Sequence, residues 1–295
     1  MRISVLTMMP ETFEGFLREP VIRRAVDRKV VSIDIVDIRK YAKGSFRHID
    51  DDTYGGGAGM VLRAQPILDA LAQVTGEGDS CGAEAGSKAE AGSRMEAGGQ
   101  AAGPASTRPQ TVVCVMTPAG IPYGQRLARE LAGKDHLVLI CGHYEGIDER
   151  VMKHADLEIS IGDDVLTGGE LPARVVMDSV IRLKGGVLRE QSTREESFEQ
   201  GLLEYPQYTK PLIVEGERVP DALLSGDHER IRLWRLTQSL LRTLNRRPDL
   251  LEKRGLTAKE RSLLEKQDLP AEERALLRKI PAISSADIFH DKEIC

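Results

Sequence analysis

The sequence predicts an α/β domain built on a largely parallel sheet, followed by a small, mainly helical C-terminal domain. Three observations carry this expectation. Short apolar runs rich in β-branched residues alternate with helical stretches up to residue 183. Three successive runs each end in a glycine-containing loop. Beyond residue 201 the strand-like runs give way to a long pattern rich in leucine and arginine.

Ile3, Val5 and their neighbours read as a short buried strand. Pro10 opens a helical stretch with Phe13, Phe16 and Leu17, at a position where the missing N–H of proline costs nothing. Residues 31–38 alternate in part and read as a second strand, and residues 64–74 read as a helix. Residues 75–110 differ in kind. They are rich in Gly, Ala, Ser and Glu, hold one large apolar side chain, Met95, and contain a near repeat, Glu84-Ala-Gly-Ser-Lys88, Glu90-Ala-Gly-Ser-Arg94, Glu96-Ala-Gly-Gly99. Such a segment buries too little surface to offset its ordering entropy, so it predicts a disordered insertion.

After the insertion the pattern becomes regular. Residues 112–116 form a buried strand that ends in Thr117-Pro-Ala-Gly120, and a helix runs to about residue 131. Residues 136–141 form another strand, followed by Gly142-His-Tyr-Glu-Gly146 and a short helix over 147–154. Residues 157–161 form a third strand, which runs into Ser160-Ile-Gly-Asp-Asp-Val-Leu-Thr-Gly-Gly-Glu170 and an amphipathic helix over 171–183. Residues 184–200 are charged, poor in apolar side chains and carry two glycines, which suits a linker. The best helix of the second region starts at Asp227, a suitable N-cap, and is stopped by Pro248. At 100° per residue, Leu233, Trp234, Leu236, Leu240, Leu241 and Leu244 gather on one side, and Arg232, Arg235, Arg242 and Arg246 on the other. The expected domains are 1–184, a linker at 185–200, a helical domain at 201–256 and a C-terminal extension at 257–295.

The chain has 295 residues and a net charge of −5, which alone argues mildly against a polyanionic partner. Locally the balance reverses: residues 229–254 hold eight Lys/Arg against three Asp/Glu, a pattern suited to phosphate contacts. No apolar run reaches bilayer length, so no membrane span is expected, and the N-terminal apolar run is too short for a signal peptide. Cys81, Cys114, Cys141 and Cys295 show no zinc spacing and read as free thiols of a reducing cytoplasm.

Ligands of α/β sheets collect at the carboxyl ends of strands, and glycine there lets the backbone approach them closely. The three loops, residues 117–120, 142–146 and 161–169, are therefore a candidate ligand-binding set, although each alone is equally a tight turn. There is no GxxxxGK[ST] and no GxGxxG after the first strand, so neither a P-loop nor an ordinary dinucleotide site is expected. Tyr54-Gly-Gly-Gly-Ala-Gly-Met60, after the polar run Arg47-His-Ile-Asp-Asp-Asp52, reads as a flexible loop or as a segment that orders over a substrate.

Four motifs in register carry a resemblance: Tyr54-Gly-Gly-Gly-Ala-Gly-Met60, Cys141-Gly-His-Tyr-Glu-Gly-Ile-Asp-Glu-Arg150, residues 160–172, and Leu223-Leu-Ser-Gly-Asp-His228. Together they resemble bacterial tRNA (guanine-N1)-methyltransferase of the SPOUT superfamily, over residues 1–251 without the insertion. The resemblance implies a SPOUT-type parallel sheet with a deep trefoil knot, although true knots are essentially absent elsewhere. It also implies a homodimer with its active site between subunits, S-adenosylmethionine held largely by backbone groups, and a C-terminal domain that grips the tRNA anticodon stem-loop.

The implied roles fall on numbered positions. Pro118, Gly142, Tyr144, Ile161, Gly162, Asp163, Asp164, Val165, Leu166, Gly168 and Gly169 would hold the cofactor. Glu145 and Gly59 would face the target guanine, and Arg232 and Arg235 would contact the tRNA. Arg182 matches the arginine of the family. The family's base is an aspartate just before a Ser-Phe pair, where this chain has Arg194-Glu-Glu-Ser-Phe198. The matching residue is Glu196, with Glu195 the alternative if the register slips. His143 stands where relatives often carry arginine, and its role stays open. No metal-ligating set is expected, while Mg2+ dependence is associated with the family. Two rival readings remain: a SPOUT methyltransferase with another RNA target, and a non-catalytic RNA-binding relative, which the aspartate-to-glutamate change would suit.

Overall fold

In a computed structural model the chain divides into two compact units, residues 1–187 and 188–295. The structure describes residues 1–44, 48–57, 59–76, 110–187, 197–198 and 200–284. The expected insertion lies almost entirely outside the described residues, as do most of the expected linker and Cys81 and Cys295.

The first unit is built on a five-stranded sheet in the order β2-β1-β6-β5-β7. Its strands are β1 (Arg2–Thr7), β2 (Ser32–Asp37), β5 (Thr111–Pro122), β6 (His136–Cys141) and β7 (Leu157–Ser160), and every pairing is parallel. All six residues of β6, at the centre, are buried. Continuous apolar runs of this kind suit parallel strands covered on both faces. The coverings include α1 (Glu14–Leu17), α2 (Pro20–Asp27), α3 (Ala64–Thr75), α4 (Gln125–Ala132) and α5 (Glu170–Arg182). Leu6, Ile38, Leu62, Ile67, Val115 and Ile140 are among the side chains of one continuous core.

Three local outcomes differ from the expectation. The stretch opened by Pro10 breaks into a 3-10 turn (Pro10–Phe13), α1 and α2. Glu19 is extended at ψ 138, because a following proline disfavours helical backbone, and Pro20 then starts α2. Second, Asp50–Asp52 (β3) pairs antiparallel with Met60–Leu62 (β4), so the glycine-rich loop at 54–60 is the tip of a hairpin. Third, β5 continues past the expected turn. It pairs with β7 through Met116, changes register, and rejoins it at Ile121 and Pro122. Gly120 makes this crossing possible, since a Cβ there would lie 2.4 Å from the backbone of Glu158 and Ile159.

Among the described residues the second unit holds a short hairpin, β8 (Ile213–Val214) with β9 (Glu217–Arg218), and five helices. These are α6 (Asp221–Leu224), α7 (His228–Arg246), α8 (Pro248–Arg254), α9 (Ala258–Glu265) and α10 (Ala271–Lys279). Asp227 caps α7 by accepting the N–H groups of Glu229 and Arg230 at 3.0 and 3.1 Å. Residues after 256 do not stand apart as an extension: Leu264, Leu269, Leu277 and Ile280 share one core with Leu240, Leu244 and Leu251. Thr257 and Glu260 form a capping box at the start of α9. Glu260 also accepts from the buried Arg254 at 2.7 Å, which ties this segment to the end of α8. The expected apolar face of α7 is buried at Leu240 and Leu244, whereas Leu233 and Trp234 are half-buried.

Candidate functional site

Because β5, β6 and β7 are parallel neighbours, the loops that follow them leave from the same edge of the sheet. They meet around a cavity of about 280 Å³. Pro118, Gly142, Tyr144, Ile161, Gly162, Asp164, Val165, Leu166, Gly168 and Gly169 all line it. Asp163 does not, and its side chain is exposed. Val115, Met152 and Ile159, outside the motifs, join Ile147 in an apolar wall.

Glycine is required at the seam between two loops. Gly169 donates its N–H to Gly142 O at 2.9 Å, and Gly168 bridges to His143. A Cβ at Gly169 would fall 2.8 Å from Cys141 Cα, inside a strand that cannot move aside. Tyr144 adopts φ +59, a left-handed conformation that is uncommon without glycine. Its loop is pinned by main-chain bonds: Gly146 N–H to His143 O at 3.1 Å, and Glu145 N–H to Met60 O at 3.1 Å. Backbone strain held by surrounding bonds is a feature of ligand sites.

Glu145 lines the cavity and connects it to the hairpin. Gly59, at φ +91, lies so close that a Cβ there would be 2.5 Å from Glu145 Cγ. The hairpin tip and the loop after β6 thus form one wall. On its far side Arg150 donates to Asp148 at 2.5 Å and lowers that carboxyl to about 2. Burial, with the Glu170 carboxylate nearby, pushes the Cys141 thiol well up, so it stays protonated and unreactive.

Sequence reasoning missed Glu170, the first residue of α5. It is 6% exposed, and its carboxylate meets His143 Nε2 at 3.1 Å and the Thr7 hydroxyl at 2.6 Å. The only signal in the chain was an acidic residue directly after Gly168-Gly169.

Arg182 is not brought to this cavity. It ends the 13-residue helix that begins at Glu170, which puts it roughly 18 Å along the axis from the cofactor loops at 1.5 Å per residue. Glu195 and Glu196 lie outside the described residues. In the second unit Arg232 is exposed and paired with Glu229 at 2.6 Å, while the Arg235 guanidinium stacks on the Tyr205 ring at 4.8 Å. Among the described residues no cluster of three or more His, Cys, Asp or Glu could hold a metal ion, and no helix is long and apolar enough to cross a membrane.

Comparison with known proteins shows the family. The family model described as tRNA (Guanine-1)-methyltransferase TrmD matches residues 1–253. A tRNA (guanine-N(1)-)-methyltransferase from Moorella thermoacetica is 46% identical over 263 residues, covering 88% of this chain and 94% of its own length. Relatives with the same description from Geobacillus kaustophilus and Dictyoglomus turgidum are 46% and 43% identical, each over 88% of this chain and over 96% and 94% of their own length. The chain belongs to the tRNA (guanine-1)-methyltransferase family.

Proposed function

We propose that the protein transfers a methyl group from S-adenosylmethionine to N1 of the guanosine just 3′ of the tRNA anticodon. One observation carries the reading: in a chain of this family, three strand-end loops converge on one glycine-lined cavity. Its fit to the cofactor rests on chemistry. The Gly168 and Gly169 positions tolerate no side chain, and main-chain groups line the seam. Such a site holds a ligand by backbone amides and carbonyls beside an apolar wall.

S-adenosylmethionine supplies the methyl group on a sulfonium, so the protein has to orient the guanine and remove its N1 proton. As the methyl–N1 bond forms, the S–CH3 bond breaks and its electron pair stays on sulfur. Glu145, at the cavity edge, suits the N2 donor of guanine as an acceptor. Glu196, or Glu195 in the shifted register, takes the N1 proton as general base. The Arg182 guanidinium offsets the negative charge that grows on O6.

The distance from Arg182 to the cofactor loops favours a homodimer in which one copy completes the other's site. Leu171 and Val175, one turn apart on α5 and 52% and 45% exposed, offer an apolar face for that contact. The tight crossing of Gly120 over Glu158 and Ile159 suits the trefoil knot of the SPOUT superfamily. The arginines of α7 suit phosphates of the anticodon stem-loop, in a protein acting in the cytoplasm. Mg2+ dependence is part of the same reading, and chelation during turnover tests it.

The test is methyl transfer from labelled S-adenosylmethionine to tRNA transcripts that differ only at that guanosine. Label enters the transcript carrying guanosine and not its variants. Equal labelling of all transcripts places the methyl group at another nucleotide of the tRNA; no labelling of tRNA but labelling of ribosomal RNA favours another RNA target, and no labelling of either favours a non-catalytic RNA-binding role.

A further inference from the structure

A chain of polar contacts runs from His143, in the cavity wall, to the end of β1 and has no part in the chemistry above. Thr7, the last residue of β1, is fully buried, and its Oγ1 accepts the Met9 N–H at 2.9 Å while donating to Glu170 Oε1 at 2.6 Å. The other oxygen of Glu170, Oε2, is 3.1 Å from His143 Nε2. The side chains of His143 and Glu170 are only 19% and 8% exposed. One carboxylate therefore joins the end of β1 to two loops at once, because His143 belongs to the loop at 142–146 and Glu170 directly follows the loop at 161–169. Gly168 lies against this contact, and a Cβ there would fall 2.5 Å from both Glu170 Oε2 and His143 Nε2.

A buried carboxylate needs its donors, since an unmet one costs the full desolvation of the group. A histidine with hydrogen on Nε2 donates as one neutral tautomer and as the imidazolium, so it can serve Glu170 in either state. The main chain joins the loops through the bond from Gly169 N–H to Gly142 O and the bridge between Gly168 and His143. The side-chain pair adds a further fixed point on the side of β1, which helps set how far apart they stand.

We propose that His143 is a positioning residue for the cofactor: by donating to Glu170 it fixes the spacing of the two loops that enclose S-adenosylmethionine. The proposal rests on the cofactor reading above. It predicts an effect on cofactor affinity rather than on the methyl-transfer step, because the contact ties His143 to Glu170 and Thr7, whereas the guanine wall is assigned to Glu145 and Gly59.

The test uses the full-length protein and S-adenosylhomocysteine as calorimetric probe, with steady-state methyl transfer to tRNA alongside. His143→Ala should raise Kd and the KM for S-adenosylmethionine by about tenfold to a hundredfold, the range for losing a hydrogen bond to a charged group. At saturating cofactor, kcat should stay within about threefold of wild type. His143→Gln keeps an N–H at similar reach and should restore tight binding, whereas His143→Asn is too short and should behave like alanine. If the alanine variant does not fold, the Gln and Asn variants carry the comparison alone. Wild-type affinity in His143→Ala or His143→Asn, or a loss confined to kcat, overturns the proposal. A wild-type protein that does not bind S-adenosylhomocysteine overturns the cofactor reading itself.

Discussion

Gly169→Ala tests whether the seam between the cofactor loops is as tight as the geometry requires. The added Cβ would lie 2.8 Å from Cys141 Cα, 3.0 Å from Gly142 N and 3.1 Å from Met116 Cβ. Restoring ordinary carbon contacts near 3.5–4.0 Å means moving the start of α5 by roughly 0.7–1.2 Å. Strand β6 cannot yield, because it is paired on both sides and fully buried. Overpacking of this kind costs about 1–3 kcal/mol. Stretching the 2.9 Å bond from Gly169 N–H to Gly142 O adds about 0.5–1.5 kcal/mol. Against this, Gly169 is already helical at φ −80, so alanine recovers about 0.4–1 kcal/mol through the unfolded chain. The net loss is about 0.5–4 kcal/mol, worth roughly twofold to a thousandfold if it falls wholly on cofactor affinity. Thermal melts and calorimetric titration with S-adenosylhomocysteine measure the two shares. Gly124→Ala is the control, since nothing lies within 4 Å of a Cβ at that position. A Gly169→Ala protein that melts and binds like wild type would refute the reasoning.

Four further outcomes follow from the same account. Glu196→Gln should abolish methyl transfer in single-turnover assays while S-adenosylhomocysteine binds normally; undiminished turnover would remove Glu196 from its role. Arg182→Ala should lower kcat by about a hundredfold to a thousandfold with cofactor affinity unchanged, as for loss of a group that stabilises developing charge, and a simple rise in cofactor KM would contradict that. Replacing Arg232 and Arg235 with alanine should weaken tRNA binding and flatten its dependence on salt in filter-binding titrations, with no change in cofactor affinity. In the second unit, burial alone would raise Glu260, but the Arg254 hydrogen bonds and charge and the Thr257 contacts outweigh it and hold the carboxyl below its ordinary value of 4.5. Its contribution to stability is therefore complete above about pH 4.5 and fades as pH falls through the lower folded value. Glu260→Gln should cost stability at neutral pH and flatten this acid-side loss in thermal melts, and an unaltered pH profile would count against the pair.

The parallel sheet was legible because its strands are short apolar runs, and its three carboxyl-end loops were legible because glycines follow each run. β3 was not, since it consists of three aspartates, a residue type depleted in strands, and its pairing with Met60–Leu62 comes from the hairpin. The length of β5 was hidden by Pro118 and Gly120, which read as a turn but lie inside a register change. Glu170 escaped notice because its partner Thr7 is 163 residues away, a relation that only the folded chain creates. Arg182 is the converse case: its place came from the resemblance alone, and the length of the helix from Glu170 to Arg182 puts it more than three turns from the glycine loop. The arginines were legible as a helix face but not as individuals. Arg232 pairs with Glu229, Arg235 stacks on Tyr205, and Arg254 turns inward to Glu260.

The central claim concerns one atom of one nucleoside. Wild-type protein, tRNA transcript and S-adenosylmethionine should be incubated together, the RNA digested, and the methylated nucleoside identified by mass spectrometry against standards methylated at N1, N2 and N7. The account predicts N1-methylguanosine, one per tRNA, from the fragment that holds the anticodon loop. A methyl group on another guanine atom, or on a fragment outside that loop, would contradict it.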